Sequence, residues 1–201
     1  NNTIVENKIG NKVVDELKSH PEGFAMKVIS DKLYILGSDK RGTAYGILEL
    51  SRIIGISPWI WWADSPILKK SSQTLDDGFS KVEYPSVKLR GIFLNDEDWG
   101  MTPWSSMTYE PMNRKGSMGP KTHARIFELL LRLRANTFWP AMHASTVPFF
   151  LIDKNKKVAD QYGIIIGSSH CEPMMCNANG EWKYRGKGDC NYVTNRENLL
   201  S

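Results

Sequence analysis

Apolar residues in the first half of the chain change spacing from segment to segment. NKVVDELKSH places Val13, Val14 and Leu17 at helical intervals, and FAMKVIS and KLYILG read as short strands paired around Ser30-Asp31. GSDKRGTAYGILELSRIIG carries Ile47, Leu48, Leu50 and Ile54 in a pattern compatible with a packed helix that stops at Gly55. Together these make a small α/β unit. The stretch from Ser57 to Ser86 mixes prolines, serines and charges without a period and reads as a connection, with a boundary near Glu83 to Ser86. The expected division is residues 1–84 as an α/β domain with its linker, and 85–201 as a second domain.

The second half of the chain repeats a single order of elements. VKLRGIFL is a continuous apolar strand, a long polar loop follows, and GPKTHARIFELLLRLRA is a helix with Ile126, Leu129, Leu130 and Leu133 on one stripe. Pro120 suits its first turn, while Arg132 and Arg134 suit its C-terminal dipole. NTFWPAMH is the next strand, Val158 to Tyr162 a short helix, and YGIIIGSS a third strand. A long loop then leads to a helix start at TNRENLLS, where Thr194 and Glu197 have capping-box spacing. Strands alternating with helices imply a parallel sheet with right-handed crossovers, its strands buried on both faces.

Polar residues gather where each of these strands ends. NDED follows the first, WPAMHAS the second and SSHCEPMM the third. In parallel α/β architectures the carboxyl ends of several strands converge on one pocket, so three such clusters in register predict a site there. Any one of them alone is an ordinary turn or cap. The segments lack a nucleophile elbow, a Walker loop and a dinucleotide fingerprint, which leaves carboxylates for general acid and base work. Cleavage of a glycosidic bond needs two such groups, one protonated and one ionised, and Asp96, Glu97, Asp98 and Glu172 are the candidates. Trp99, Trp104, Tyr109, Trp139, Trp182 and Tyr184 offer flat faces to sugar rings, or else anchor long loops. His143 and His170 either hydrogen-bond substrate or fix their loops.

Composition narrows the classes. With 41% hydrophobic, 10% aromatic and 24% charged residues, the chain is globular in type. The net charge of +4, spread over short separated basic clusters, does not argue for nucleic acid. No apolar run approaches the roughly 18 residues that span a bilayer, and NNTIVENKIG has no signal-peptide pattern. His170, Cys171, Cys176 and Cys190 form a nominal zinc set, but their spacing does not match common zinc sites, so no metal and no cofactor are expected. GSDKRGTAYG fits neither phosphate-binding motif and reads as a tight turn with close helix packing.

GSDKRGTAYGILELSRIIGISPWIWWAD resembles the accessory α/β domain that precedes the barrel in several glycoside hydrolase families. LRGIFLNDEDWGMTPW, GPKTHARIFELLLRLRANTFWPAMH, DQYGIIIGSSHCEPMMCN and NYVTNRENLL closely resemble, in the same order, glycoside hydrolase family 115, the xylan α-1,2-glucuronidases. The resemblance implies an α/β fold: a small accessory domain followed by the first strand-helix repeats of an incomplete (β/α)8 TIM barrel. It further implies removal of glucuronic or 4-O-methylglucuronic acid side chains from glucuronoxylan or its oligosaccharides, with inversion and without a cofactor. Site roles pass to Asp96, Glu97 and Glu172 as catalytic candidates, and to Asn95, Asp98, Trp139, His143 and His170 as substrate-binding ones.

A whole barrel takes eight strands and about 250 residues, so the chain is expected to be a piece of a larger enzyme and inactive alone. Secretion or a periplasmic location is expected from a polymeric substrate, and a homodimer of the complete enzyme stays open. Two other classes compete. One is a non-catalytic carbohydrate-binding module using the aromatics with Arg185 or Lys121 against a uronate. The other is a zinc-stabilised structural module built on the cysteines.

Overall fold

The computed structural model describes every residue except 1, 68, 96–98, 113, 170, 171, 173, 174 and 179. Its architecture is mixed α/β with two three-stranded sheets, and the chain divides into two compact units. The first comprises residues 1–89 with 131–135, and the second 90–130 with 136–201.

In the first unit, helices α1 (Asn2–Ile9) and α2 (Asn11–Lys18) precede the hairpin of β1 (Phe24–Ile29) and β2 (Lys32–Gly37). Ser30 and Asp31 both have positive φ, 46° and 67°, the backbone twist a two-residue hairpin demands. Helix α3 (Lys40–Ile53) follows, and β3 (Ser80–Glu83) pairs antiparallel with β1 to complete the order β2-β1-β3. Alternation along β1 feeds two cores. Ala25 packs with Ile9, Val14, Leu17 and Leu36, while Phe24 and Met26 pack with Tyr45.

Helix α3 buries Gly42, Tyr45, Gly46 and Glu49. Of the expected positions Ile47, Leu48, Leu50 and Ile54, Leu50 packs against the Phe24, Met26 and Tyr45 core, whereas Ile47 and Ile54 are 54% and 37% exposed. The helix approaches too closely for bulk: a β-carbon on Gly42 would stand 2.1 Å from the Gly23 carbonyl oxygen. Asp39 caps it, its Oδ1 accepting from Gly42 N at 2.8 Å and its Oδ2 from Glu22 N at 2.8 Å. The glycines of this segment thus serve a turn and close packing.

Buried Glu49 gathers Arg52 (2.7 Å), Lys81 (2.5 Å) and Arg134 (2.6 Å), and Glu83 pairs with Lys81 and Arg134. Burial alone would raise the Glu49 carboxyl, but hydrogen bonds from the three cations hold it down to about 2. Arg134, expected to serve a helix dipole, is committed to this cluster instead. Tyr45 donates its hydroxyl to the Ala135 carbonyl at 3.1 Å within the same unit.

The second unit holds β4 (Gly91–Phe93), α4 (Met101–Trp104), a π-helical turn (Ser105–Tyr109), α5 (Pro120–Arg132), β5 (Thr137–Trp139), a 3-10 turn (Phe149–Leu151), α6 (Asp153–Tyr162), β6 (Ile165–Ile166), α7 (Trp182–Arg185) and α8 (Arg196–Leu200). Strands β4, β5 and β6 run parallel, in chain order, as the alternating pattern predicts. Phe138 is fully buried against Phe127 and His123 of α5.

Burial on both faces does not hold. Ile92, Phe93, Trp139 and Ile165 are 46%, 38%, 41% and 41% exposed. Helix α5 buries Thr122, His123, Ile126, Phe127 and Leu130, and Leu133 of the expected stripe lies outside it and exposed. Helix α6 begins at Asp153, five residues before the expected start. Asn195, not Thr194, caps α8, and its amide turns away to the carbonyls of Lys187 and Asp189. No helix among the described residues is long and apolar enough to cross a membrane.

Candidate functional site

Register places the strand ends side by side. Gly91, Thr137 and Ile165 form one row across the sheet, and Ile92, Phe138 and Ile166 the next. Phe93 and Trp139 end β4 and β5, and Gly167 follows β6: Leu94 N donates to Trp139 O at 2.9 Å and Gly167 N to Phe138 O at 3.0 Å. On the face opposite Phe138, the rings of Phe93 and Trp139 lie 6.4 Å apart. Asn95 follows β4 and is exposed. Asp96, Glu97, Asp98 and His170 lie outside the described residues.

The loop after β4 is fixed by one carboxylate. Glu110 accepts from Lys121 N (3.1 Å), Thr122 N (3.0 Å) and Thr122 Oγ1 (3.2 Å), satisfying amides that the start of α5 leaves open. Ser105 and Thr122 share a 2.6 Å hydroxyl contact, and Trp104 stacks on Tyr109 with centroids 4.8 Å apart. Trp99 is 90% exposed. Gly116, at φ 82°, crosses so close to the next loop that a β-carbon would meet Ser145 O at 2.1 Å. In that next loop His143 is exposed, and its Nδ1 stands 2.7 Å from Ser145 Oγ.

The loop after β6 brings together groups that spacing alone does not. Glu172 is buried, with its carbonyl accepting from Ser168 Oγ at 3.2 Å. Burial raises its carboxyl above the usual range, against hydrogen bonds from Ser169 N–H and the Asn177 side chain, and the charge of Glu181 adds to the rise. Asn177 ties this loop to the one after β5, its Nδ2 donating to Met142 O at 3.3 Å. Glu181, also buried, keeps a counterion in Arg185 at 3.0 Å, and Arg185 donates further to Phe150 O at 3.1 Å.

Asn177 and Glu181 do not stand out in the sequence. The four-residue interval from Glu181 to Arg185 is the one signal that points to the ion pair. Trp182 donates from Nε1 to Gly188 O at 2.8 Å, which makes it a loop anchor. Tyr184 stands under the Arg114 guanidinium, 4.9 Å from its ring centre.

Cys176 and Cys190 are free thiols, and burial pushes the Cys176 thiol up. Among the described residues no group of three His, Cys, Asp or Glu side chains is placed to hold a metal ion. Two members of the nominal zinc set, His170 and Cys171, fall outside those residues.

The sequence model of a family described as Glycosyl hydrolase family 115 matches residues 82–201. No curated protein matches the chain. Among solved structures, the chain is similar to one described as a novel family GH115 4-O-methyl-α-glucuronidase, BtGH115A, with specificity for decorated arabinogalactans. Identity is 57% and the TM-score 0.88, over 92% of this chain and 24% of the other. The present chain therefore spans about a quarter of that protein.

Proposed function

This chain belongs to glycosyl hydrolase family 115, and from that membership we propose that it forms part of a glycoside hydrolase that removes glucuronic or 4-O-methylglucuronic acid side chains from a plant polysaccharide by inverting acid/base hydrolysis. Buried Glu172 carries the reading. Desolvation raises the proton affinity of this carboxyl group, the direction a general acid requires, and the group follows the third of three parallel strands, beyond the ends at which Asn95 and Trp139 stand. In the proposal Glu172 gives its proton to the leaving sugar oxygen. Asp96 or Glu97 activates water on the opposite face of the ring, while Asn95, Asp98, Trp139, His143 and His170 hold the sugar.

On the same reading the parallel sheet is the opening segment of a (β/α)8 barrel, and residues 1–84 act as an accessory domain. A polymeric substrate puts the enzyme outside the cytoplasm. Glucuronoxylan is the first substrate to test. The likeness to BtGH115A favours a second, arabinogalactan bearing 4-O-methylglucuronic acid.

The complete protein containing this chain, incubated with each polymer, is expected to release free uronic acid whose first-formed anomer is inverted, as followed by proton NMR. Residues 1–201 alone are expected to release none. Retained configuration overturns the mechanism, and no release from either polymer overturns the substrate class.

A further inference from the structure

A cavity of about 610 Å³ opens in the second unit between the loop after β4 and the loop after β5, lined by Thr102, Pro103, Ser106, Met107, Lys115 and Ser145. Neither Asn95 nor Trp139 nor Glu172 contributes to its wall. Thr102 in its wall is 2% exposed, and its hydroxyl is closed off from solvent. Two features give the cavity the character of a built site.

Lys115 brings an exposed ammonium that makes no ion pair among the described residues. The walls are also held in place. Ser106 Oγ donates to Thr102 O at 2.9 Å, and Val147 N donates to Gly116 O at 2.9 Å beside the close Gly116 to Ser145 crossing.

Resting on the glycosidase reading above, we propose that this cavity is an accessory subsite for a second acidic sugar of the substrate, one that is recognised and not cleaved. A hydroxyl group of the ring meets Ser145, Pro103 and Met107 cover its apolar face, and Lys115 faces its carboxylate. The volume is ample for one pyranose ring with water around it, within the ordinary range of ligand cavities. Ser145 is also the hydrogen-bond partner of His143, so occupancy here is linked by one contact to a residue of the candidate cleavage site. The consequence is a preference for polymers with closely spaced uronates over those with isolated ones.

The test uses the complete protein with Lys115→Met, assayed on an oligosaccharide carrying one uronic acid and on the densely substituted polymer. The variant should raise KM on the polymer about fivefold, the size of one exposed charge pair, and leave both constants for the single-uronate oligosaccharide unchanged. Equal polymer KM for wild type and Lys115→Met overturns the subsite while leaving the hydrolase reading intact.

If the wild type cleaves neither substrate, the hydrolase reading fails. The subsite is then decided by titrating the protein with free glucuronic acid and with glucose. Binding of the acid alone, lost in Lys115→Met, upholds it, and binding of both or neither overturns it.

Discussion

The indole of Trp139 lies across Gly167, so close that a β-carbon at position 167 would stand 2.2 Å from its Nε1. Trp139 ends β5 and Gly167 follows β6, its parallel neighbour, and a bare α-carbon at one is what lets the large ring at the other lie over the sheet. An aromatic platform at the strand ends therefore depends on a residue with no side chain of its own.

Gly167→Ala should displace the indole and destabilise the second unit by about 1–3 kcal/mol, the usual scale of overpacking. Tryptophan fluorescence and the urea midpoint report it together. An unshifted spectrum with an unchanged midpoint would show that the ring does not rest there.

Glu172→Gln in the complete enzyme should lower kcat by at least about 100-fold, as loss of a general acid does, with the melting temperature held or raised. The sign follows from the raised carboxyl: the folded state favours its protonated form. Its contribution to stability is thus full below the ordinary value of 4.5 and declines as pH rises through the folded pKa. Glutamine, neutral at every pH, removes that decline. Turnover equal to wild type would exclude Glu172 from the chemistry.

Acid should loosen the two units in separate windows. Burial pushes His123 down from 6.5 to about 4, so its contribution is complete above 6.5 and disappears as pH falls toward 4. Glu49 is held at about 2 against an ordinary 4.5, so its contribution persists to lower pH and is lost between those values. Each is worth roughly 3 kcal/mol at about 1.4 kcal/mol per unit. Hydrogen exchange measured from pH 7 to pH 3 should show α5 and β5 opening before β1. Simultaneous opening would refute the ordering, and His123→Phe should abolish the earlier step.

Glu49→Gln should cost about 3–5 kcal/mol, because Arg52, Lys81 and Arg134 then share a partner without charge. Thermal melting of the first unit reads this directly. A loss below about 1 kcal/mol would mean that the cations are satisfied by solvent.

Glu110→Ala should expose the Lys121 and Thr122 amides at the start of α5, at a cost of about 1–2 kcal/mol, as for a lost helix cap. Faster exchange at those two amides is the expected reading, and unchanged protection would count against the capping role.

Much of the backbone is legible in the sequence because local chemistry and global fold agree. Ser30-Asp31 between two apolar runs gives a hairpin, and alternating strands and helices give parallel pairing from β4 to β6. Strand β3 is hidden for a physical reason: Lys81 and Glu83 share a face and are paired within the Glu49 cluster, so charge occupies positions where periodicity looks for apolar residues. The buried face of α3 is hidden for a related reason, since its core positions are two glycines, a tyrosine and a glutamate. At the candidate site, Glu172 and Trp139 can be found from their places after strands. Asn177 and Glu181 cannot, because they matter through burial and through a hydrogen bond to Met142 O, 35 residues away in sequence.

The first unit is closed by residues 131–135, which arrive only after β4 and nearly all of α5 have been made. A ribosome releasing this protein cannot complete its leading half first. Until Arg134 emerges, Glu49 waits beside two of its three cations, and the nascent chain must hold an unfinished interior while more than forty further residues are added.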